Sequence, residues 1–302
     1  MPSAHALENS LGNCDNQVDC AANSVVSLLP DWPANFSRNE EPEGSGIILD
    51  DGTLVATADH VLGPAKSARI RTRAGKVLSA KIVMRDKATD IAFLKVDEPL
   101  TAFSQSAEVS IADRTCAIGN SFGLDISIAC GVVSAKNVTG VGFNPIEDFL
   151  QTDAAVNPGM SGGALVDTEG NLVGMLSAIF TRQSDASIGV NFAVSRNLLF
   201  KVLEDFIEDG AVRHRRPGIV VRPNNPELSG GLTGAEVVRV TSASPEDTAG
   251  FQPGDIVLKI GARRISRAGA YEAAIALAKD GKTLDVMILR GEDRMQLNLT
   301  PE

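Results

Sequence analysis

Three residues far apart in the sequence carry the side chains that nucleophilic acyl transfer needs. His60 lies at the end of the apolar run Leu54-Val55-Ala56-Thr57-Ala58-Asp59-His60-Val61-Leu62, Asp90 precedes Ile91-Ala92-Phe93-Leu94, and Ser161 sits in Gly159-Met160-Ser161-Gly162-Gly163 after Asn157-Pro158. A serine hydroxyl is a weak nucleophile until a neutral imidazole takes its proton and a carboxylate orients that imidazole. Glycines around the serine let a substrate carbonyl approach the main chain closely. Consecutive backbone N–H groups in such a loop can face a developing oxyanion. Each feature alone has an ordinary reading: a core histidine, a turn-forming aspartate, a Gly-rich turn between strands. Taken jointly, in the order His, Asp, Ser with separations of 30 and 71 residues, they match a chain order that belongs to a two-barrel β host. The other histidines, His5 in the polar N-terminal stretch and His214 in a basic linker, read as solvated.

Short apolar runs separated by turn residues begin at Gly44. Ile47-Ile48-Leu49, the hairpin signal Asp50-Asp51-Gly52 and Leu54-Val55-Ala56 are followed by runs at 70–72, 81–84, 91–96, 117–118, 126–130 and 172–176. No helical period intervenes, which predicts an all-β barrel or sandwich. The pattern changes at Asn197, where Leu198, Leu199, Val202, Leu203, Phe206 and Ile207 predict an amphipathic helix stopped by Asp209-Gly210. The expected division is a flexible arm over 1–23, a first domain over 24–212, a linker over 213–217 and a smaller α+β domain over 218–302.

The chain has 302 residues, 43 % of them hydrophobic and 22 % charged, which excludes a disordered chain and supplies a sizeable core. Its net charge of −10 is concentrated in residues 1–212, which hold 15 basic and 27 acidic side chains. Such a surface repels a phosphate backbone, so nucleic-acid binding is not expected. No apolar run reaches the ~18–20 residues of a membrane-spanning helix. Cys14 and Cys20 lie in a polar stretch where a bridge and two free thiols are equally open; a bridge would point to an oxidising compartment. Cys116 and Cys130 lie in apolar runs and read as small buried hydrophobes. No CxxC pair suggests zinc, and nothing suggests an organic cofactor. Residues 1–24 lack the basic start and apolar core of a signal peptide.

The motifs Thr57-Ala58-Asp59-His60-Val61, Thr89-Asp90-Ile91-Ala92, Gly119-Asn120-Ser121-Phe122-Gly123-Leu124 and the stretch from Gln151 through Ser161 to Gly163 resemble the HtrA/Deg family of trypsin-like serine proteases. Ala243-Ser244-Pro245 with Ala249-Gly250-Phe251-Gln252-Pro253-Gly254-Asp255-Ile256-Val257 resembles the PDZ domain that follows the protease there. The resemblance implies a mainly β fold, a chymotrypsin-like double β-barrel followed by a smaller α+β PDZ domain. It implies His60 as general base, Asp90 as its orienting acid and Ser161 as nucleophile, with an oxyanion hole from the backbone of Gly159, Met160 and Ser161. Val156 would line the pocket for the residue before the scissile bond, and Gly218, Ile219, Val220 and Val221 would form the PDZ peptide-binding loop. Unfolded polypeptides as substrates, peptide C-termini as PDZ ligands, a homotrimer or higher multiple, and a periplasmic or otherwise exported location follow from the same resemblance.

Three departures from the family pattern bear on function. Met160 stands where Asn is usual, and a displaced oxyanion loop would leave a silent, protease-like chaperone or peptide-binding protein as the alternative reading. Asp59 stands where Asn or Ala is commoner; an inward second carboxylate would favour the imidazolium, but alternation along a strand would turn it away from His60. Val220 stands where the PDZ loop usually has Gly, which alters the expected capture of a peptide end. The helix over 270–278 would form the other wall of that groove, its alanines leaving room for a bulky apolar side chain.

Overall fold

The computed structural model describes residues 14, 16–33, 44–179, 189–279 and 281–301; His5 lies outside them, as does most of 31–43, where Pro33, Pro42 and several charges predict a loop. Two compact units result. The first comprises Met1–Lys136 and Phe149–Ala211, the second Asn137–Asp148 and Val212–Glu302.

The first unit is two closed six-stranded antiparallel barrels. Strands β1 (Val25–Pro30), β2 (Gly44–Leu49), β3 (Leu54–Ala58), β4 (Ala68–Thr72), β5 (Val77–Asp86) and β6 (Ile91–Lys95) close in the order β1-β2-β3-β6-β5-β4. Strands β7 (Arg114–Asn120), β8 (Ile126–Val138), β9 (Phe149–Thr152), β10 (Ala164–Val166), β11 (Leu172–Ile179) and β12 (Asn191–Ser195) close as β10-β11-β12-β9-β8-β7. Closure removes the unpaired edges that an open sheet would expose. It also gives each barrel an interior of aliphatic side chains, Leu28, Ile48, Val55, Ile70 and Leu94 in the first and Leu150, Leu165, Val173 and Leu176 in the second. The predicted Asp50-Asp51-Gly52 turn joins β2 to β3, with Asp50 at φ 57° and Gly52 at φ 86°.

The predicted amphipathic helix is α3 (Arg196–Asp209), following the short α1 (Gln17–Ala21) and α2 (Asp59–Leu62). Ser195 caps α3 by accepting from the Leu198 amide, Leu198, Leu199, Val202 and Leu203 are buried, and Gly210 ends it in the left-handed region at φ 71°.

The second unit carries an antiparallel sheet ordered β13 (Ile219–Pro223), β14 (Ala235–Val240), β15 (Ile256–Ile260), β17 (Leu284–Arg290) and β18 (Asp293–Leu299), with β16 (Arg263–Arg264) beside β15. Helices α4 (Pro245–Thr248) and α5 (Ala268–Ala276) complete it. Phe251, Tyr271, Ile275, Val286 and Ile288 form its core. The segment 137–148, which a contiguous boundary at 212 leaves out of this unit, is held within it by the Arg263–Asp148 ion pair (2.8 Å) and by Arg267 Nη1 donating to the Thr139 carbonyl (3.1 Å). Glu147 shapes that segment by accepting from the amides of Val141, Gly142, Phe143 and Asn144.

Three local expectations differ from what is observed, and the pairing left open at Cys14 and Cys20 is decided. Cys116 and Cys130 are not free buried thiols: they stand directly opposite each other on β7 and β8 and are bridged. Cys14 and Cys20 are also bridged, and no described cysteine is free. Residues 17–24 are not frayed, because the Asn16 side chain caps α1 by accepting from the Asp19 amide and a 3₁₀ turn leads from α1 into β1. The stretch Ile219-Val220-Val221 is strand rather than open loop, paired to Val240, Arg239 and Val237; valine suits an extended edge that glycine would weaken. Among the described residues no helix is long and apolar enough to cross a membrane.

Replacing Cys116 and Cys130 together by Ala releases a bridge spanning 14 residues. It is expected to lower the unfolding free energy of the first unit by about 3 kcal/mol. Urea unfolding followed by the fluorescence of Trp32, the single tryptophan, checks it.

Candidate active site

His60 reaches its position through a helix of one turn. Four-residue α2 leaves its N-terminal amides unsatisfied, and the residue before it, Ala58, has no side chain to cap them. Asp90 supplies the caps from the turn before β6. Its carbonyl accepts from the Asp59 amide (3.1 Å) and its Oδ1 from the His60 amide (2.9 Å). Its Oδ2 pairs with His60 Nδ1 at 2.7 Å. One carboxylate thus fixes both the backbone and the ring of the histidine. Asp90 has φ 59°, uncommon for a residue with a side chain, and is only 8 % exposed. The His60 side chain keeps 47 % of its surface open.

The second barrel contributes Ser161, in the loop between β9 and β10, and Ser177 on β11. The Ser177 hydroxyl donates to Asp90 Oδ2 (3.1 Å), while its carbonyl accepts from the Ser161 hydroxyl (3.1 Å). His60, Asp90 and Ser161 are therefore joined through Ser177, with the serine proton turned to the Ser177 carbonyl and not to the imidazole. Nothing in the sequence marks Ser177.

The backbone around Ser161 is set by close approaches. Gly159 has φ 90°, and a Cβ there would collide with the Asn120 carbonyl oxygen; at Gly162, φ 85°, it would strike the Ser45 carbonyl. Ser45 is a second residue without a sequence signal. Its hydroxyl donates to the Gly159 carbonyl (2.7 Å) and accepts from the Asn120 amide (2.8 Å), and its amide donates to the Ser161 carbonyl (2.9 Å). The Pro158 carbonyl accepts from the Phe122 amide (2.8 Å). A trans peptide is planar, so the Gly159 N–H points away from Phe122. Among the described residues neither the Gly159 nor the Ser161 amide has an acceptor, which leaves two donors for an oxyanion. The Met160 amide, expected among them, is spent on the Asn157 carbonyl (3.0 Å).

Met160 does not leave the loop loose. It is 1 % exposed and packs in the second barrel's core with Val156, Leu165 and Leu176. Its thioether accepts from the Asn157 amide (3.4 Å), a weak bond, so burial takes the place of the amide hydrogen bonds an Asn would make. Val156 is as buried as Met160.

Asp59 turns from His60 to Arg85, although it lies on α2 and not on a strand. Arg85 on β5 pairs through Nε with the Asp59 carboxylate, and its two terminal nitrogens reach the carbonyls of Gly63 (2.8 Å) and Asp59 (3.1 Å). The guanidinium neutralises the second carboxylate beside the imidazole and ties both ends of α2 to β5. A polar depression of about 620 Å³ lies elsewhere on the first unit, lined by Gln17, Ser24, Gln105, Glu169 and Asn171. It contains no histidine. Among the described residues no cluster of metal-ligating side chains occurs.

The trypsin-like peptidase domain family matches residues 44–175 and the PDZ domain family residues 186–300. The chain is 34 % identical over 266 residues to the periplasmic serine endoprotease DegP of Escherichia coli K12, covering 85 % of this chain and 56 % of that protein. It is 33 % identical to a probable periplasmic serine endoprotease, DegP-like, of Ectopseudomonas mendocina, covering 91 % and 59 %. The chain therefore spans somewhat over half the length of the curated relatives it matches. Among solved structures, the HtrA-type protease AlgW with a tripeptide superposes with a TM-score of 0.71 at 32 % identity, covering 99 % of this chain and 96 % of that one. The serine endoprotease of Yersinia pestis gives 0.57 at 28 %, covering 99 % and 98 %.

Arg85→Ala strands the buried Asp59 carboxylate and is expected to cost about 3 kcal/mol of stability. Arg85→Lys restores the charge but not the fork onto two carbonyls and should recover only part. Trp32 donates to the Leu62 carbonyl on α2 (3.0 Å), so its fluorescence in urea reads both variants.

Proposed function

The chain belongs to the HtrA family of trypsin-like serine proteases with a PDZ domain, and from that premise we propose that it is a serine endopeptidase cleaving unfolded or damaged polypeptides, regulated by its PDZ domain. The observation that carries the reading is the paired His60 and Asp90, joined through Ser177 to a serine whose own amide and that of Gly159 have no acceptor among the described residues. His60 is the general base, Asp90 its orienting acid and Ser161 the nucleophile. Substrate binding turns the Ser161 hydroxyl from the Ser177 carbonyl to the imidazole. The oxygen attacks the scissile carbonyl as its proton passes to His60, and the resulting oxyanion accepts from the Gly159 and Ser161 amides. His60 then returns the proton to the leaving amine, freeing the first product and leaving an acyl-serine. Water, activated by the same imidazole, releases the second product. Asp90 holds the tautomer with Nδ1–H and stabilises the charged ring.

Val156 serves as the floor of the pocket for a small or medium aliphatic residue before the scissile bond. The protease domain spans 24–212 and the PDZ domain 218–302, joined by 213–217. The PDZ unit takes extended peptide, free C-termini being the class the family resemblance implies, and the active assembly is a homotrimer or a multiple of it. Two disulfides and relatives named as periplasmic support an exported protein in an oxidising compartment.

Purified protein should release fragments from an unfolded protein such as reduced casein, and Ser161→Ala should release none. Asp90→Asn should lower kcat by about 10⁴. A fluorophosphonate should label wild type at Ser161. Wild type as inert as Ser161→Ala in both assays would leave a silent, peptide-binding protein.

A further inference from the structure

The amides of Gly159 and Ser161 point usefully only if the peptide groups around them are held. Gly159, at φ 90°, has no side chain to restrict the peptide groups on either side of it, so the direction of its N–H is imposed from outside. The Pro158 carbonyl accepts from the Phe122 amide and the Met160 carbonyl from the Gly163 amide (2.9 Å). The carbonyls of Gly159 and Ser161 are both held by one residue of the other barrel: Ser45 on β2 donates its hydroxyl to the first and its amide to the second.

Ser45 is fully buried, so it acts through its neighbours and not on substrate. Its hydroxyl has a single proton, which goes to the Gly159 carbonyl, while its oxygen accepts from the Asn120 amide. From Asn120 the chain leads directly to Phe122. One hydroxyl therefore acts on both carbonyls that bracket the Gly159 N–H: on that of Gly159 itself, and through 120–122 on that of Pro158. Ser45 is fixed in turn by the first barrel. Its carbonyl accepts from the Thr57 hydroxyl of β3 (2.7 Å), and it stands opposite Ser27 in the β1–β2 pair. From the second barrel, Gly119 and Gly162 approach so closely that a Cβ on either would crowd Ser45.

We propose that Ser45 is the positioning residue of the oxyanion hole: its buried hydroxyl, supplied by the first barrel, holds the main chain of the second so that the Gly159 and Ser161 amides converge where charge develops. The proposal rests on the peptidase reading above. Such donors stabilise the oxyanion because they are aimed before it forms. Without the hydroxyl, the Gly159 carbonyl and the Asn120 amide lose their partner together and must find others. The peptide groups around a glycine reorient at little steric cost, and the Gly159 N–H turns with them. A substrate carbonyl carries little charge before attack, so the loss falls on the transition state and appears in kcat, not in KM.

The test compares the full wild-type chain with Ser45→Ala and with Ser45→Cys, which keeps a weak donor and acceptor. Urea unfolding followed by Trp32 fluorescence shows whether each is folded. Initial rates on fluorescein-labelled casein give kcat and KM, and a fluorophosphonate gives the labelling rate of Ser161. Ser45→Ala should lower kcat about 10²-fold and leave KM within about twofold of wild type. It should slow labelling by the same factor, because the phosphonyl oxygen takes the place of the oxyanion. Ser45→Cys should lower kcat and labelling only about tenfold. A folded Ser45→Ala with wild-type kcat, a loss confined to KM, or an unchanged labelling rate overturns the assignment while the peptidase reading stands. If Ser45→Ala does not fold, Ser45→Cys is read by the same three criteria. Wild type that neither cleaves casein nor takes the label overturns the peptidase reading, and the assignment with it.

Discussion

The Asp90 carboxylate is the constraint on which the first unit turns. A one-turn helix cannot satisfy its own amides, and the residue preceding α2 offers no cap. Asp90 completes that helix from another strand connection, and in doing so orients the imidazole it carries. The stability of α2 and the alignment of His60 are therefore one interaction. The positive φ of Asp90 is tolerated because three hydrogen bonds on α2 and a fourth from Ser177 determine where the residue must sit. Ser177 extends the same carboxylate to the second barrel, so the seam between the barrels is itself hydrogen-bonded at the site.

The loop around Ser161 is organised on a different principle. Its conformation is imposed by main-chain atoms that leave no space for side chains at Gly159 and Gly162, and by Ser45, which bonds to Gly159, Asn120 and Ser161. The direction of the Gly159 amide follows from where the Pro158 carbonyl is held. The Met160 thioether contributes no strong hydrogen bond to this arrangement. Its side chain fills the second barrel's core, which anchors the loop by burial where a polar residue would do so by bonding. The replacement thus changes the means of support and leaves the backbone donors in place.

Buried carboxylates are held by a cation at one site and, among the described residues, by neutral donors at another. Asp59, a second carboxylate beside the imidazole, is matched by Arg85. Among the described residues, Glu246 in the PDZ unit is bonded by the Tyr271 phenol and the Gly218 amide.

Much was legible in the sequence. Short apolar runs with turn residues between them specify barrel strands because the side-chain period of a strand is two and closure buries both ends of the pattern. The 3.6 period of Leu198, Leu199, Val202 and Leu203, stopped by Asp209-Gly210, specifies α3. The types and order of His60, Asp90 and Ser161 specify a chemistry. Other features depended on pairs distant along the chain, which local pattern does not encode. Cys116 meets Cys130 only because β7 and β8 register them. Alternation on a strand was the wrong reason for the right orientation of Asp59, which a helix turn and Arg85 decided. Ser45 and Ser177 are ordinary serines until the barrels bring them to the loop and to Asp90. The sequence by itself determined the kinds of element and the reactive groups, because these rest on local periodicity and side-chain chemistry. Tertiary structure alone decided which amides stay unspent at Ser161 and which carboxylate sits at Gly218, because a hydrogen bond is settled by proximity and direction in space.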